Sequence, residues 1–225
     1  MAQSEYILTA RGLHKSYGKG RARVEVLGGL DLSLRGGEFL AVMGPSGCGK
    51  TTLLHILGLI ALPDAGTIAL DGREIPAGPR TRTTLRRTHI GLVFQRLNLI
   101  SVLTAADNVG ISLRVRGEEN NGRVEELFEA LGIAHVSGHK PAEMSMGEQQ
   151  RVAVARALAH RPAVLLADEP TGSLDSANSR TLLEIFRETN HRDGQTIVMI
   201  THSPDVAAYA DRIVHMKDGI LLDDN

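Results

Sequence analysis

Eight consecutive residues of the 225-residue chain have the types and the spacing of a phosphate-binding loop. They fit the pattern G-x-x-x-x-G-K-[ST], in which glycines let backbone N–H groups point at phosphate oxygens. An apolar segment precedes the loop and an apolar helical segment follows it, so the positive end of a helix would face the same anion. The pattern therefore predicts a nucleotide-binding site. The residues of the loop and the start of its helix are Gly44, Pro45, Ser46, Gly47, Cys48, Gly49, Lys50, Thr51 and Thr52.

Two residues of this loop are predicted to supply specific chemistry. Lys50 would place a positive charge at the β- and γ-phosphates, and the Thr51 hydroxyl would bind Mg²⁺. Cys48, the only cysteine of the chain, lies inside the loop. We interpret it as a small residue that fits there, because its position alone does not indicate a reactive thiol.

Two adjacent carboxylates end an apolar segment much later in the chain. Asp168 and Glu169 follow residues 164–167, and in an open α/β sheet ligands bind outside the carboxyl ends of the strands. Alone, such a pair is often a solvated strand end. Downstream of a phosphate loop, the interpretation that we favour is that Asp168 holds Mg²⁺ and that Glu169 orients and deprotonates an attacking water.

The elements that must position these residues follow from hydrophobic patterning. Residues 6–43 predict strands, and Phe39–Met43 is a continuous apolar run, typical of a strand buried on both faces. The pattern from 105 to 159 is mostly helical. Buried strands that alternate with helices predict an α/β fold with a mostly parallel sheet, interrupted by a helical insertion. Further strands are predicted at 67–70, 90–94, 164–167, 196–200 and 213–215, and further helices at 51–60 and 177–189.

Charge and hydropathy narrow the class of function. Lys plus Arg number 25 and Asp plus Glu 26, which argues against a strongly basic nucleic-acid binder. The best apolar stretch, residues 53–62, is too short to span a membrane, and residues 1–6 lack the pattern of a secretory signal. We therefore expect a cytoplasmic protein that does not bind nucleic acid and does not insert into the membrane.

A third motif identifies the family that the chain resembles. Residues 144–151, M-S-M-G-E-Q-Q-R, are similar to the LSGGQ signature of ATP-binding cassette proteins and lie just upstream of the Asp168 strand. The resemblance covers essentially the whole chain. It implies a P-loop NTPase cassette with a RecA-like core, an N-terminal antiparallel β-subdomain and an inserted α-helical subdomain. The core and β-subdomain would take about 1–95 and 160–225, and the helical subdomain about 96–159.

The resemblance also implies roles for single residues. Tyr17 matches the aromatic that stacks on adenine, and we favour this role over an ordinary exposed tyrosine because only 3% of the chain is aromatic. Gln95 matches the glutamine that touches Mg²⁺ and the attacking water. His202 matches the histidine that contacts the γ-phosphate. Asp175, in the segment 173–175, matches the loop that crosses between two cassettes.

The signature implies that the working unit is a homodimer. In this family two cassettes face head to tail, and each ATP is held by the phosphate loop of one subunit and the signature of the other. Ser145, Gly147 and Glu148 would therefore reach the ATP of the partner. The best match is to ATPases of lipoprotein release and macrolide efflux, which drive a separate integral membrane permease at the cytoplasmic face of the inner membrane. Residues 96–109 are the candidate dock for that permease.

One departure from the family leaves alternatives open. Met146 stands where the family has glycine, so either the backbone there does not need a positive φ or the contact with the partner's ATP is altered. The alternatives are a slow nucleotide-dependent switch and a non-transport cassette ATPase of translation or DNA repair. The second usually carries two cassettes or an inserted arm, neither of which this sequence shows.

Two further clusters are interpreted as structural. His135 and His139 have a spacing that could bind metal on a helix, but the residues around them predict a loop. A basic run could bind nucleic acid or lipid headgroups, and we favour a solvated surface over both. Its members are Arg80, Arg82, Arg86 and Arg87.

Overall fold

The computed structural model describes residues 5–222, which form two β-sheets with helices packed on and between them. The strands are β1 (Tyr6–Tyr17), β2 (Val24–Arg35), β3 (Phe39–Met43), β4 (Ala65–Leu70), β5 (Arg73–Glu74), β6 (Ile90–Val93), β7 (Val164–Asp168), β8 (Thr196–Thr201), β9 (Arg212–Lys217) and β10 (Ile220–Leu222). The helices are α1 (Lys50–Leu57), α2 (Pro79–His89), α3 (Ala105–Arg114), α4 (Arg123–Ala130), α5 (Met146–Leu158), α6 (Ser176–Asp193) and α7 (Pro204–Ala207).

The larger sheet brings the carboxyl ends of three buried parallel strands side by side. Its order is β10-β9-β3-β8-β7-β6, and all neighbours except β10 and β9 are parallel. Every residue of β3, β7 and β8 is buried, as expected for strands covered on both faces. Met43 pairs with Thr201, and Asp168 pairs with Ile200. The segments that follow these strands therefore leave the sheet side by side.

The smaller sheet is antiparallel and has the order β2-β1-β4-β5. Leu30, Leu32 and Leu34 alternate with more exposed residues on β2, so one face of this strand is buried in the core. The apolar side chains of this sheet join those of α1 in one buried cluster. At its far end, β1 finishes with Tyr17 opposite Val24.

The segment between β6 and β7 holds α3, α4 and α5, as the helical pattern predicts. Val124, Leu127 and Phe128 of α4 are buried in one cluster with residues of α3, α5 and the larger sheet. Phe39 packs edge to face on Phe186 of α6 at a centroid distance of 6.4 Å. Shared burial therefore ties these helices to the sheet.

Most predicted bounds differ from those of the structure by one to four residues. The first helix ends at Leu57 and not at residue 60, because Gly58 leaves the helical conformation and Leu59 has a φ of 57°. The strand predicted at 90–94 stops at Val93. Helices α2 and α7 and strands β5 and β10 were not predicted.

The prediction that the basic run is a solvated surface is wrong for two of its residues. Arg82 is 5% exposed, and its guanidinium donates to the Ala61 carbonyl at 2.6 Å. Arg86 donates to the Leu59 carbonyl at 2.8 Å. The carbonyls at the end of a helix lack intrahelical partners, and these arginines satisfy carbonyls just beyond α1.

Residues 5–222 contain no helix with the length and apolar character needed to cross a membrane. The prediction about a secretory signal concerns residues 1–6, of which residues 1–4 lie outside the described part of the chain.

Candidate functional site

The predicted phosphate loop joins β3 to α1 and is held tightly against its neighbours. A Cβ added to Gly44 would lie 2.2 Å from the Met216 carbonyl oxygen. Gly49 has a φ of 107°, and its Cβ would lie 2.6 Å from the Val26 carbonyl oxygen. Both positions therefore require glycine, because the backbone passes too close for a side chain.

Lys50 lies under this loop rather than in solvent. It is 6% exposed, and its ammonium donates to the carbonyls of Gly44 and Pro45, each at 2.8 Å. An ammonium has three donors, and the third is directed at the Cys48 sulfur at 3.8 Å. Sulfur is a weak acceptor, so this third donor is the one that a phosphate oxygen would take. Cys48 itself is 8% exposed.

An open cavity of about 280 Å³ lies over the loop. It brings the loop together with Glu169, which is more than a hundred residues away in sequence. The cavity is therefore the place where the two predicted halves of the site meet. Its lining residues are Val26, Ser46, Gly47, Gly49, Lys50, Thr51, Thr52 and Glu169.

Thr51 and Asp168 form the pair predicted to bind Mg²⁺. The Thr51 Oγ1 is 3.4 Å from the Asp168 Oδ1, and Asp168 is 7% exposed. Burial raises the pKa of the Asp168 carboxyl, the hydrogen bond from Thr51 opposes the shift, and the charge of Glu169 adds to it. A divalent cation would favour the charged form, so these oxygens fit Mg²⁺.

Other ligands for such a cation would come from the substrate and from water. Within residues 5–222, no group of three or more His, Cys, Asp or Glu side chains lies close enough together to hold a metal ion. Mg²⁺ usually binds through one or two carboxylates together with substrate phosphates and waters, and the Thr51–Asp168 pair agrees with that pattern.

Glu169 and His202 lie next to each other at the ends of β7 and β8. The Glu169 Oε1 is 3.2 Å from the His202 Nδ1, and the Glu169 side chain is 23% exposed. Glu169 has a φ of 44°, which is unusual for a residue with a side chain, and its N–H donates to the Ile200 carbonyl at 3.0 Å. Strained backbone of this kind concentrates at functional sites.

Gln95 reaches the same place from the end of β6. A Cβ added to Gly172 would lie 3.7 Å from the Glu169 Oε2 and 3.8 Å from the Gln95 Nε2. Both side chains therefore border one small space next to Gly172. Asp175 lies further along this segment, where it caps α6 and accepts the Asn178 N–H at 2.8 Å.

The predicted signature forms the N-terminus of α5. Ser145 caps this helix, and Glu148 accepts the Ser145 N–H and Oγ–H, each at 2.8 Å. A Cβ added to Gly147 would lie 2.4 Å from the Asn178 Oδ1, so this helix end packs on the first turn of α6. None of these residues lines the cavity over the phosphate loop.

His135 lies outside the α-helices, as predicted, and contacts the signature. It lies in a short 3-10 turn (Ala134–Val136), and its Nε2 is 2.8 Å from the Glu148 Oε1. The hydrogen bonds from Ser145 and His135 lower the pKa of Glu148 to about 2.

The structure shows the backbone conformation at Met146, which answers the first of the two questions that this residue raises. It is the first residue of α5 and is not among the described residues with positive φ. The backbone at this position therefore does not need glycine. The side chain itself is 48% exposed at the end of the helix.

Tyr17 lies on the cavity side of the smaller sheet. It is 47% exposed and pairs with Val24 across the strands. Val26, two residues further along β2, lines the cavity over the phosphate loop. Two residues along a strand span about 7 Å and neighbouring strands lie about 5 Å apart. Tyr17 is thus close enough for the base of a nucleotide whose phosphates occupy the loop.

Three residues beside this site were not singled out from the sequence. They are Val26 in the cavity lining, and Lys15 and Asp64, which form an ion pair next to Tyr17. No local pattern marks them, because the two partners of the pair are 49 residues apart and meet only through the sheet.

Comparison with known families defines the class of protein. A family model described as ABC transporter matches residues 27–172, and the chain therefore belongs to this family. A second model, described as an AAA domain, matches the shorter range 138–208. The prediction of an ATP-binding cassette protein is confirmed.

Two curated relatives define the type more closely. The macrolide export ATP-binding/permease protein MacB of Chlorobium luteolum is 44% identical over 100% of this chain and 34% of its own length. The lipoprotein-releasing system ATP-binding protein LolD 2 of Caulobacter vibrioides is 44% identical, with 97% of each chain covered. The chain thus spans about a third of the first relative and nearly all of the second.

Solved structures show the same fold. A dimeric post-hydrolysis state of the ATP-binding cassette MJ0796, bound to ADP and phosphate, has a TM-score of 0.89 and 36% identity over 97% of both chains. The cassette cbiO1 of Clostridium perfringens has a TM-score of 0.88 and 30% identity over 97% of this chain and 88% of that one. The chain is therefore an ATP-binding, ATP-hydrolysing cassette of the MacB and LolD type, with the predicted P-loop NTPase fold.

Proposed function

We propose that this chain hydrolyses ATP as one half of a homodimer and thereby drives an integral membrane permease of the lipoprotein-release or efflux type. One observation carries the proposal. Glu169 lines the cavity over the phosphate loop, Thr51 of that loop contacts Asp168, and His202 contacts Glu169. This is the arrangement that positions a phosphoryl group between cationic donors and a general base.

The proposed reaction is attack of water on the γ-phosphorus, with ADP leaving on the opposite side. The loop N–H groups and Lys50 hold the β- and γ-phosphates, and Tyr17 stacks on adenine. Glu169 accepts the proton of the attacking water. His202 holds the Glu169 carboxylate and contacts the γ-phosphate, and Gln95 borders the same water.

Mg²⁺ belongs to the same proposal. Thr51 and Asp168 would hold it, with Gln95 as a further oxygen ligand. When bound, the cation would neutralise charge that develops on the phosphate oxygens.

The homodimer would complete the site from the opposite side. Ser145, Gly147 and Glu148 lie at the N-terminus of α5 and do not line the cavity of their own subunit. Ser145 is exposed, Glu148 is half-buried and Gly147 is buried. The N–H groups of a helix start bind anions, so this end suits the γ-phosphate of a partner's ATP. Asp175 would lie at the same interface. The dimeric MJ0796 structure supports this assembly.

The proposed cassette has three parts, a core, a β-subdomain and a helical subdomain. Residues of about 1–95 and 160–225 would form the core and β-subdomain, and about 96–159 the helical subdomain.

Val102 is 73% exposed and Ile100 is 39% exposed. These apolar side chains support residues 96–109 as the dock for the permease. The relatives are a macrolide export ATP-binding/permease protein and an ATP-binding protein of a lipoprotein-releasing system, which supports a place at the cytoplasmic face of the inner membrane.

Turnover of the purified chain tests the proposal. We expect Glu169→Gln to lower kcat by about 100-fold or more, because a neutral amide does not accept the proton of the attacking water. ATP binding should persist. Glu129→Gln, which changes an exposed glutamate on α4, should leave kcat unchanged.

The same turnover assay distinguishes a transport ATPase from a slow nucleotide-dependent switch. Because Met146 has an ordinary helical backbone, Met146→Gly should alter kcat only a few-fold. Wild-type turnover as slow as that of Glu169→Gln would contradict the enzyme proposal and support the switch. If no membrane protein is recovered when the chain is purified from cells, the non-transport ATPase would be favoured.

A further inference from the structure

Lys15 lies over the Tyr17 ring and pairs with Asp64, and neither residue has a role in the reaction described above. The Lys15 Nζ is 2.8 Å from the Asp64 Oδ1 and 5.5 Å from the centroid of the Tyr17 ring. The Lys15 side chain is only 16% exposed. The ammonium is therefore held between the carboxylate and one face of the ring, a cation–π arrangement.

Asp64 also fixes the backbone that leads to Tyr17. Its Oδ2 accepts the Ser16 N–H at 2.7 Å, and its own N–H donates to the His14 carbonyl at 2.8 Å. The hydrogen bonds from Lys15 and Ser16 hold the pKa of the Asp64 carboxyl below its usual range. Asp64 lies in the connection between α1 and β4, so it ties that connection to the end of β1.

The restrained ring is the part of the site that would meet the base. Lys15 covers one face of Tyr17, which leaves the other face for stacking. Tyr17 is 47% exposed, and an exposed tyrosine without such neighbours would sample several rotamers. A ring that is already ordered loses less conformational entropy when a base stacks on it, so binding is more favourable.

We propose that Asp64, acting through Lys15, positions the Tyr17 ring to stack on the base of the bound nucleotide. The proposal rests on the proposed function, which assigns the base to Tyr17. Asp64 and Lys15 are positioning residues, since Lys15 contacts the ring, Asp64 holds Lys15, and neither has a role at the reacting atoms. Their effect should fall on nucleotide affinity and leave kcat at saturating ATP unchanged.

Substitution of the carboxylate by its isosteric amide tests this role. We expect Asp64→Asn to weaken ATP binding by about threefold to tenfold, the order of a partly lost stacking contact. Inorganic triphosphate lacks a base, so its affinity should not change. Lys15→Gln should reproduce both results through the other partner of the pair. Titration calorimetry with each ligand, and kcat at saturating ATP, give the readouts.

The chain contains a matched control at the other end of β1. Glu5 is 3.2 Å from Arg35, whose guanidinium lies 5.7 Å from the Tyr6 ring centroid. This is the same order of carboxylate, cation and ring, but it lies away from the phosphate loop. Glu5→Gln should therefore leave the affinity for ATP and for triphosphate unchanged.

A double-mutant cycle with Tyr17→Ala separates this proposal from the function on which it rests. If Asp64 acts through the ring, Asp64→Asn should have no further effect in the Tyr17→Ala background. An equal loss in that background, or an equal loss of triphosphate affinity, would overturn the positioning role. If Tyr17→Ala weakens ATP binding while Asp64→Asn does not, only the positioning role fails. If Tyr17→Ala leaves ATP binding unchanged, the base-stacking role of Tyr17 fails as well.

Discussion

At the start of α5, one carboxylate takes both hydrogens that Ser145 can donate. The Glu148 Oε2 accepts the Ser145 N–H and Oγ–H, while its Oε1 faces His135 at 2.8 Å. The hydroxyl that the homodimer proposal assigns to the partner's γ-phosphate is thus engaged within its own subunit. Contact with that phosphate requires the hydroxyl to rotate away from Glu148.

The low pKa of Glu148 makes its contribution to stability depend on pH. Its pKa in the folded chain, about 2, lies below the usual 4.5, so the stabilisation is complete above pH 4.5 and is lost as the pH falls toward 2. Glu148→Gln removes this titration. We expect the wild-type unfolding temperature to fall more steeply than that of the variant between pH 4.5 and 2. Thermal unfolding across this range is the measurement, and parallel curves would contradict the prediction.

Single residues could be predicted wherever one short segment contains the chemistry. Lys50, Thr51, Asp168 and Glu169 lie in two continuous motifs, and the structure brings both motifs to one cavity. The ion pair between Lys15 and Asp64 could not be predicted in this way. It depends on the pairing of β1 with β4 and on the path of the chain before β4.

Among the elements, α5 connects the signature to the segment that follows Gln95. Its first residues carry the Ser145 cap, and three turns later Arg156 donates to the carbonyls of Leu97 and Asn98, each at 2.7 Å. The helix also lies directly on β6. A shift of α5 would therefore move the segment that bears Gln95.

The contact between α5 and β6 depends on a glycine. A Cβ added to Gly91 would lie 2.5 Å from the Ala157 carbonyl oxygen and 3.0 Å from side-chain carbons of Leu165 and Pro162. A backbone oxygen cannot move aside cheaply, so Gly91→Ala should destabilise the chain by roughly 1–3 kcal/mol or more. Urea unfolding measures this difference.

Gly138→Ala is the control for that substitution. No atom lies within 4 Å of a Cβ added to Gly138, and its φ is outside the positive region. Its unfolding free energy should stay within about 0.5 kcal/mol of the wild type. A similar loss in both variants would show that the close approach of β6 and α5 is not the cause.

Elements with apolar patterning could be predicted, and those without it could not. The buried strands β3, β7 and β8 appear in the sequence as continuous apolar runs. Helix α2 has no apolar stripe, since its only buried residue is Arg82. It packs through arginine–carbonyl hydrogen bonds, which depend on where α1 ends and leave no periodic trace in the sequence.

At the scale of the whole molecule, the site has a cost in stability. The parallel strands bring Asp168 to the sheet edge at 7% exposure, next to the charge of Glu169. A carboxylate buried near a like charge is unfavourable until a cation joins it, which is why burial raises the pKa of Asp168. The nucleotide-free molecule therefore carries a charge that is useful only when the site is filled.

Asp168→Asn separates stability from function. The amide can still accept the Thr51 hydrogen bond but carries no charge, so the nucleotide-free variant should unfold at a higher temperature than the wild type at neutral pH. A ligand at 100 times its Kd stabilises a protein by about 2.7 kcal/mol. Mg²⁺ with ATP should therefore raise the unfolding temperature of the wild type more than that of the variant, and EDTA should remove the difference. If the nucleotide-free variant unfolds at a lower temperature than the nucleotide-free wild type, the charge of Asp168 does not destabilise the unfilled site.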